Sequence, residues 1–282
     1  MLNDLLANEH WIRIAMFAGI FAVMAIWEYV APRRARAVSR SARWPANLGI
    51  VALNSLLVRF VLPTTAVGVA TAMEARGAGL LHIVDLPDWV TFVVAIVLLD
   101  LAIYLQHVLF HAVPTLWRLH RMHHADVDVD VTNGLRFHPI EILLSALIKM
   151  GVIAVLGAPA AAVVVFEVLL NGLAMFNHSN VNIPDRADKV LRWLLVTPDM
   201  HRIHHSWHAK EHNSNFGFNL SLWDRIFGTH IQYPQEGQKN MVLGLRSWRD
   251  PQWQRLDRML LQPFIHPEVF NAPLKANHDK NI

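Results

Sequence analysis

Five long apolar runs separated by charged or turn-forming residues set the pattern of this chain. The first extends from Trp11 to Val30, long enough to cross a hydrocarbon core of roughly 30 Å as a helix. A second, Ala46 to about Met73, carries Arg59 and Pro63 in its middle, which predicts one kinked span or a re-entrant element. A third run covers Trp89 to Gln106. The fourth and fifth, Ile140 to Leu156 and Ala158 to Phe176, meet at Gly157, Ala158 and Pro159, a joint short enough to predict an antiparallel helical hairpin. Lys149 and Glu167 fall inside these last two runs and are expected to face each other, because unpaired charge in lipid is costly. The pattern predicts an all-α, polytopic membrane protein of about four to five membrane helices.

Composition agrees. Hydrophobic residues make up 54% and charged residues 17%, below the soluble norm of about 25% charged, and mean hydropathy is +0.29. The net charge of +3 is small and the arginines are concentrated, so a nucleic-acid partner has no support. Asp4 and Glu9 precede the first run where a signal peptide would be basic, so a cleaved signal is not expected. Arg33, Arg34, Arg36, Arg40 and Arg43 follow that run. The positive-inside rule then puts the N-terminus outside and residue 107 on the cytoplasmic face. These arginines are read as setting topology rather than as a docking face for an acidic partner, which Lys189, Arg192 and Arg202 would complete. Trp44, Trp117, Trp193 and Trp207 are expected at headgroup level.

The chemistry lies in the histidines. His120, His123 and His124 form an H-x-x-H-H triplet, and His201, His204 and His205 repeat it. With 17 histidines in 282 residues, chance supplies such a triplet only about 0.06 times per chain. Residues three and four apart share a helix face, so each triplet can aim its rings at one point. His107 and His111, at i and i+4, end the third run just upstream, and His178 follows the fifth. Clustered neutral nitrogen ligands suit a transition metal. Cysteine is absent, which excludes disulfides and thiolate ligation. Zinc takes about four ligands and octahedral iron about six, so nine imidazoles suggest two metals. His138, at the entry to the fourth run, and His212, after the second triplet, are lesser metal or outer-sphere candidates. Asp100, on the stripe of His107 and Tyr104, is a candidate acceptor for a ring N–H or, equally, a buried aspartate paired elsewhere. Asp126, Asp128 and Asp130 are read as a solvated loop. His208 is expected to be exposed, and His10, His82, His230, His266 and His278 are assigned no role.

The order of these motifs resembles the fatty acid hydroxylase/sterol desaturase superfamily, bacterial sterol-desaturase-like members included. Supporting pieces are Phe137-His138-Pro139-Ile140-Glu141, Asn215-Phe216-Gly217 and Trp223-Asp224-Arg225-Ile226-Phe227-Gly228-Thr229. The resemblance covers about residues 95 to 232 and divides the chain into N-terminal membrane helices (1–90), a catalytic domain (91–235) and a C-terminal cytosolic tail (236–282). It implies a membrane base with a cytosolic helical cap holding a dimetal histidine site. It also implies ligation by His107, His111, His120, His123, His124, His178, His201, His204 and His205, with Asn215 a lesser candidate. Ala174 stands where some lipid hydroxylases carry a second histidine, so the chain resembles the ether-lipid monooxygenase branch more than the ceramide-type hydroxylases.

The activity so implied is O₂-dependent hydroxylation or desaturation of a lipid C–H bond, in a fatty acyl, sterol or alkyl-ether chain, by two iron ions that zinc could replace in purified protein. A multi-pass protein of the bacterial inner membrane is the expected setting. No haem segment, dinucleotide fingerprint or cysteine for an iron–sulfur cluster occurs, so electrons are expected from a separate ferredoxin or cytochrome b5-like donor with its reductase. Two rivals remain. A metal transporter would hold its ligands near the bilayer midplane, and a dinuclear hydrolase would mix carboxylates with histidine, for which Asp126, Asp128, Asp130 and Asp199 are the available acids.

Overall fold

The computed structural model describes residues 6–266; Asp4, His278 and the end of the expected tail lie outside them. Among the described residues thirteen α-helices follow one another: α1 Glu9–Val30, α2 Arg40–Val61, α3 Ala66–Arg76, α4 Asp88–Ala112, α5 Pro114–His124, α6 Pro139–Leu156, α7 Ala160–Asn177, α8 Asp185–Leu191, α9 Pro198–His204, α10 Ala209–His212, α11 Leu222–Ile226, α12 Gly237–Asn240 and α13 Leu256–Leu261. Among the described residues β pairing is limited to three isolated bridges, Pro32 with Val181, Leu195 with Leu220 and Ser206 with Leu243. Five stretches of the described residues are long and apolar enough to cross a membrane: α1, Arg40–His82, α4, α6 and α7. The chain is an all-helical, multi-pass membrane protein.

Local chemistry sets the helix ends. The second apolar run breaks where Leu62 precedes Pro63, since a residue before proline is driven out of the helical region; Leu62 is extended at φ −90°, ψ 129°. The same rule ends α4 at Val113 and lets Pro114 open α5 at its first position. α6 stops at Gly157, whose φ of +65° is left-handed, and which packs so tightly against Gly79 and Ala78 that neither glycine has room for a Cβ. That contact locks the α6–α7 hairpin onto the loop after α3.

α7 is the central post, packed against α1, α3 and α4. Its apolar core joins Val163, Val164 and Phe166 to Leu99 of α4, Ile153 of α6 and Ala70 of α3. Lys149 and Glu167 do pair, and Arg13 of α1 joins them 2.9 Å from Glu167. α4 and α7 finish, and α6 begins, at the same end of the bundle. α5, α8 to α12 and the segment through α13 cover that end. Residues 251–265 do not trail away: Gln262 and Ile265 accept from Arg121 of α5 through their carbonyls, at 2.5 and 2.6 Å.

The loop 126–130 differs from its expectation as solvated. Asp126, Asp128 and Asp130 are all buried, because Arg43 of α2 brings a fully buried guanidinium between them. Its Nε and Nη2 donate to Asp126 at 2.7 and 2.8 Å, Nη1 to Asp130 at 2.8 Å and Nη2 to the Asp128 carbonyl at 2.7 Å. Arg136 adds a second guanidinium, 3.3 Å from Asp126. The two cations hold the Asp126 carboxyl below the usual carboxylate range against the opposing effect of burial. The arginine run is likewise more than a topology signal. Arg33 pairs with Asp199 at 2.7 Å and Arg40 with Glu28 at 2.8 Å, so these side chains tie the first two spans to the histidine end.

Candidate metal centre

Nine imidazoles converge where α4, α5, α7 and α9 meet, and they divide into two groups. His107, His111, His120, His124 and His204 form one, and His123, His178, His201 and His205 the other; within each group one ring nitrogen per residue lies within 4.8 Å of all the rest. Helix geometry accounts for the division. Adjacent residues of one triplet point about 100° apart on a helix, so His123 and His124 leave α5 in different directions, and His204 and His205 do the same at the end of α9.

The far side of most rings is already engaged. His107 Nδ1 donates to the Phe216 carbonyl at 2.8 Å, His120 Nδ1 to Glu141 Oε1 at 2.6 Å, and His123 Nδ1 to the Arg136 carbonyl at 3.2 Å. His178 Nδ1 donates to the Ala174 carbonyl and His204 Nδ1 to the Ser214 carbonyl, both at 2.7 Å, while His111 Nδ1 meets Asn213 Oδ1 at 3.3 Å. A carbonyl or carboxylate oxygen only accepts, so each of these rings carries its proton on Nδ1 and presents a bare Nε2.

Those bare nitrogens point at one another. Nε2 of His107 lies 3.1 Å from that of His120, and Nε2 of His178 lies 3.1 Å from that of His123 and 3.0 Å from that of His201. With both protons committed to Nδ1, the 107–120 and 123–178 contacts are not hydrogen bonds. Two lone pairs at this distance repel unless a cation lies between them. His204 Nε2 and both ring nitrogens of His205 are buried without any hydrogen-bond partner, another cost that a metal removes. The residues present fit a pair of transition-metal ions.

At six of these rings electrostatics favours the neutral form, as ligation requires. Burial, with the neighbouring imidazoles adding to it, pushes His123, His124, His201, His204 and His205 well below the ordinary histidine value. His178 is lowered to about 3, with burial the largest cause. Aromatic rings seal the cluster. Phe137 stacks on His123 at 4.6 Å between centroids, Phe216 lies 5.0 Å from His111 and Phe218 5.7 Å from His107.

The lesser candidates stand apart from both groups. His138 caps α6, accepting from Ile140 N on Nδ1, and turns Nε2 toward the Leu260 carbonyl. His212 stacks on Trp117 at 5.6 Å and comes no nearer than 6.4 Å, between centroids, to His124. Asp100 meets no imidazole; it accepts from Trp223 Nε1 at 2.8 Å and Leu220 N at 3.2 Å. Asn215, at φ +50°, braces the loop by donating to the Met200 and Ile231 carbonyls. Its neighbours Ser214 and Phe216 are the acceptors for His204 and His107. His208 sits 3.3 Å from Glu236.

Glu141 is the residue that motif reading passed over: a buried carboxylate behind His120 whose Oε2 has no hydrogen-bond partner. Its signal was present, since the third position of a helix opened by Pro139 is a favoured place for an acid. The loop aspartates were missed for lack of a local sign of Arg43, 83 residues away from Asp126.

Residues 92–229 match the family described as fatty acid hydroxylase. Through that segment the chain is similar to the fatty acid hydroxylase family. An ornithine lipid hydroxylase of Rhizobium tropici is 32% identical over 143 residues, covering 51% of this chain and 42% of the relative. An alkylglycerol monooxygenase of Xenopus tropicalis is 29% identical over 143 residues, 51% of this chain and 30% of the relative. Human cholesterol 25-hydroxylase is 26% identical over 137 residues, 48% of each chain. The chain thus matches less than half the length of these relatives. No solved structure matches it significantly.

Proposed function

We propose that this protein is a membrane-embedded non-haem diiron oxygenase that inserts one oxygen atom of O₂ into a lipid C–H bond. The observation that carries the reading is the division of nine buried imidazoles into a group of five and a group of four with bare Nε2 atoms facing inward. In this reading His107, His111, His120, His124 and His204 hold one iron, and His123, His178, His201 and His205 hold the other. Lipid hydroxylation by the ornithine lipid, alkylglycerol and cholesterol relatives supports the substrate class.

The bound irons supply redox chemistry that activates O₂ toward an unactivated C–H bond. The balance is one lipid C–H, one O₂, two electrons and two protons in, and one alcohol and one water out. The protein's own residues do the rest. Backbone carbonyls and Glu141 fix each ring's tautomer and direction, Phe137, Phe216 and Phe218 keep water away, and the apolar helices hold the substrate chain. Electrons come from a separate ferredoxin or cytochrome b5-like partner with its reductase. The catalytic domain is residues 91–235, between membrane helices 1–90 and the segment 236–282. The arginines at the histidine end of α1 and α2 support an outside N-terminus and a cytoplasmic metal centre in a bacterial inner membrane.

The rivals lose their support. The hydrolase reading needed free aspartates, but Asp126 and Asp130 are paired with Arg43, and Asp199 with Arg33 and Arg202. The transporter reading needed ligands at mid-span, but the histidines occupy helix ends and the covering segments.

The test is metal content and Mössbauer spectroscopy on protein grown in iron-57. Two coupled irons per chain that react with O₂ once reduced are expected. Tight zinc that iron does not replace, with no O₂ chemistry, overturns the proposal.

A further inference from the structure

The segments 185–195 and 220–229 form part of the cover over the histidine end, yet they carry a large exposed apolar face. Trp193 is 71% exposed, Leu194 63%, Ile226 58% and Phe227 52%, with Val190 and Leu222 beside them. The two segments are tied together: Leu195 bridges Leu220, Ser221 N donates to the Leu194 carbonyl, and the Arg225 guanidinium lies 4.8 Å over the Trp193 ring. A patch of this kind covers something.

Its depth identifies the occupant. Trp223 Nε1 and Leu220 N both bond to Asp100, the middle residue of the 25-residue α4. At 1.5 Å per residue, Asp100 lies about 18 Å along the axis from the end of α4. One turn further toward the histidines, Phe227 stacks on Tyr104 at 5.3 Å, and the Tyr104 hydroxyl lies 2.8 Å from Thr229 Oγ1. The segment therefore runs down the side of a membrane-spanning helix to its midpoint. Leu105 and Leu109 of α4 are exposed apolar residues as well. On the same segment Arg186 and Lys189 are exposed and enter no ion pair among the described residues. Exposed apolar side chains and cations on one segment, with a tryptophan ring against an arginine, are the composition of an interfacial element.

We propose that residues 190–194 and 222–227 are inserted in the lipid leaflet beside α4, with Arg186 and Lys189 meeting lipid phosphates. The insertion clamps the Asn215–Thr229 loop, whose Phe216 carbonyl orients His107, against the membrane. The inference rests on the membrane placement of α4 and not on the metal chemistry, so it stands or falls separately from the oxygenase reading.

The chain has no cysteine, so single cysteines introduced by Leu194→Cys, Ile226→Cys and Val190→Cys can each carry a fluorophore in full-length protein. Val93→Cys, on the exposed side of α4, and Lys210→Cys, on the exposed cover, provide the lipid and water references. The labelled proteins are placed in vesicles of phosphatidylcholine with phosphatidylglycerol, with monodispersity in detergent as the check on folding. Nitroxide-tagged lipid is expected to cause a loss of emission at 194, 226 and 190 like that at 93, while aqueous iodide quenches only 210. Iodide quenching at 194 and 226 equal to that at 210 overturns the proposal in favour of solvent. Protection from both quenchers overturns it in favour of a protein partner or a second copy.

Discussion

Removing Glu141 isolates one half of the centre. Its carboxylate receives the His120 Nδ1 proton at 2.6 Å, the short distance of a charge-assisted bond, whereas five other rings have neutral oxygens behind them. Deleting such a partner lowers metal affinity about 10- to 100-fold, or about 1.4 to 2.8 kcal/mol. Glu141→Ala is expected near the upper end of that range, because the ring loses both its orientation and the nearby negative charge. Glu141→Gln keeps an acceptor and should fall between. The effect is local: His120 belongs to the group of five, so only that ion weakens. The assay is a chelator titration of iron-57-loaded protein, followed by the Mössbauer spectrum of the iron retained. One of two signals should fade first in Glu141→Ala while the other holds its wild-type resistance. Equal loss of both ions, or no change in either, refutes the argument that Glu141 acts through His120.

Four further outcomes follow. His204→Ala combined with His205→Ala should lose both ions, while His204→Ala combined with His111→Ala should keep one, read as metal per chain; identical stoichiometry in the two pairs contradicts the division. Arg43→Ala leaves buried Asp126 and Asp130 without their counter-charge and should cost about 3–5 kcal/mol, seen as a large fall in melting temperature in detergent, whereas exposed Arg36→Ala should stay within about 0.5 kcal/mol. Chelator-treated protein should lose stability as pH falls below 6.5. His178 stays neutral when folded down to about 3, while an unfolded histidine takes its proton near 6.5. The unfolded chain binds more protons in that window, so stability is complete above it and declines toward acid; a melting temperature that is flat or rises on acidification rejects this. Glu167→Gln should destabilise the bundle more than Lys149→Met, since it strands both Arg13 and Lys149; equal melting temperatures would show that Arg13 has no share in the pair.

Much was legible along the chain because it is periodic or local. Apolar length gave the membrane helices, proline and glycine gave their ends at Leu62, Val113 and Gly157, and the H-x-x-H-H spacing gave six of the nine imidazoles that cluster, His107, His111 and His178 being the other three. The Lys149–Glu167 pair was legible for a different reason: lipid leaves a lone charge no other remedy. The reading erred where the deciding partner is remote. Three aspartates in five residues look solvated until Arg43 arrives from another helix, and of the two roles open to Asp100 it was Trp223 that decided for a partner other than histidine.

The sequence alone determined that this is a helical membrane protein with a surplus of imidazoles, since hydrophobic length and i, i+3, i+4 spacing are properties of the chain itself. Which histidines group together was decided only in three dimensions. His123 and His124 are adjacent in the chain but belong to different groups, and His107 joins His204 across 97 residues. That outcome depends on the angles at which α4, α5, α7 and α9 meet, and those angles are fixed by core packing and by the Arg43 and Glu141 contacts.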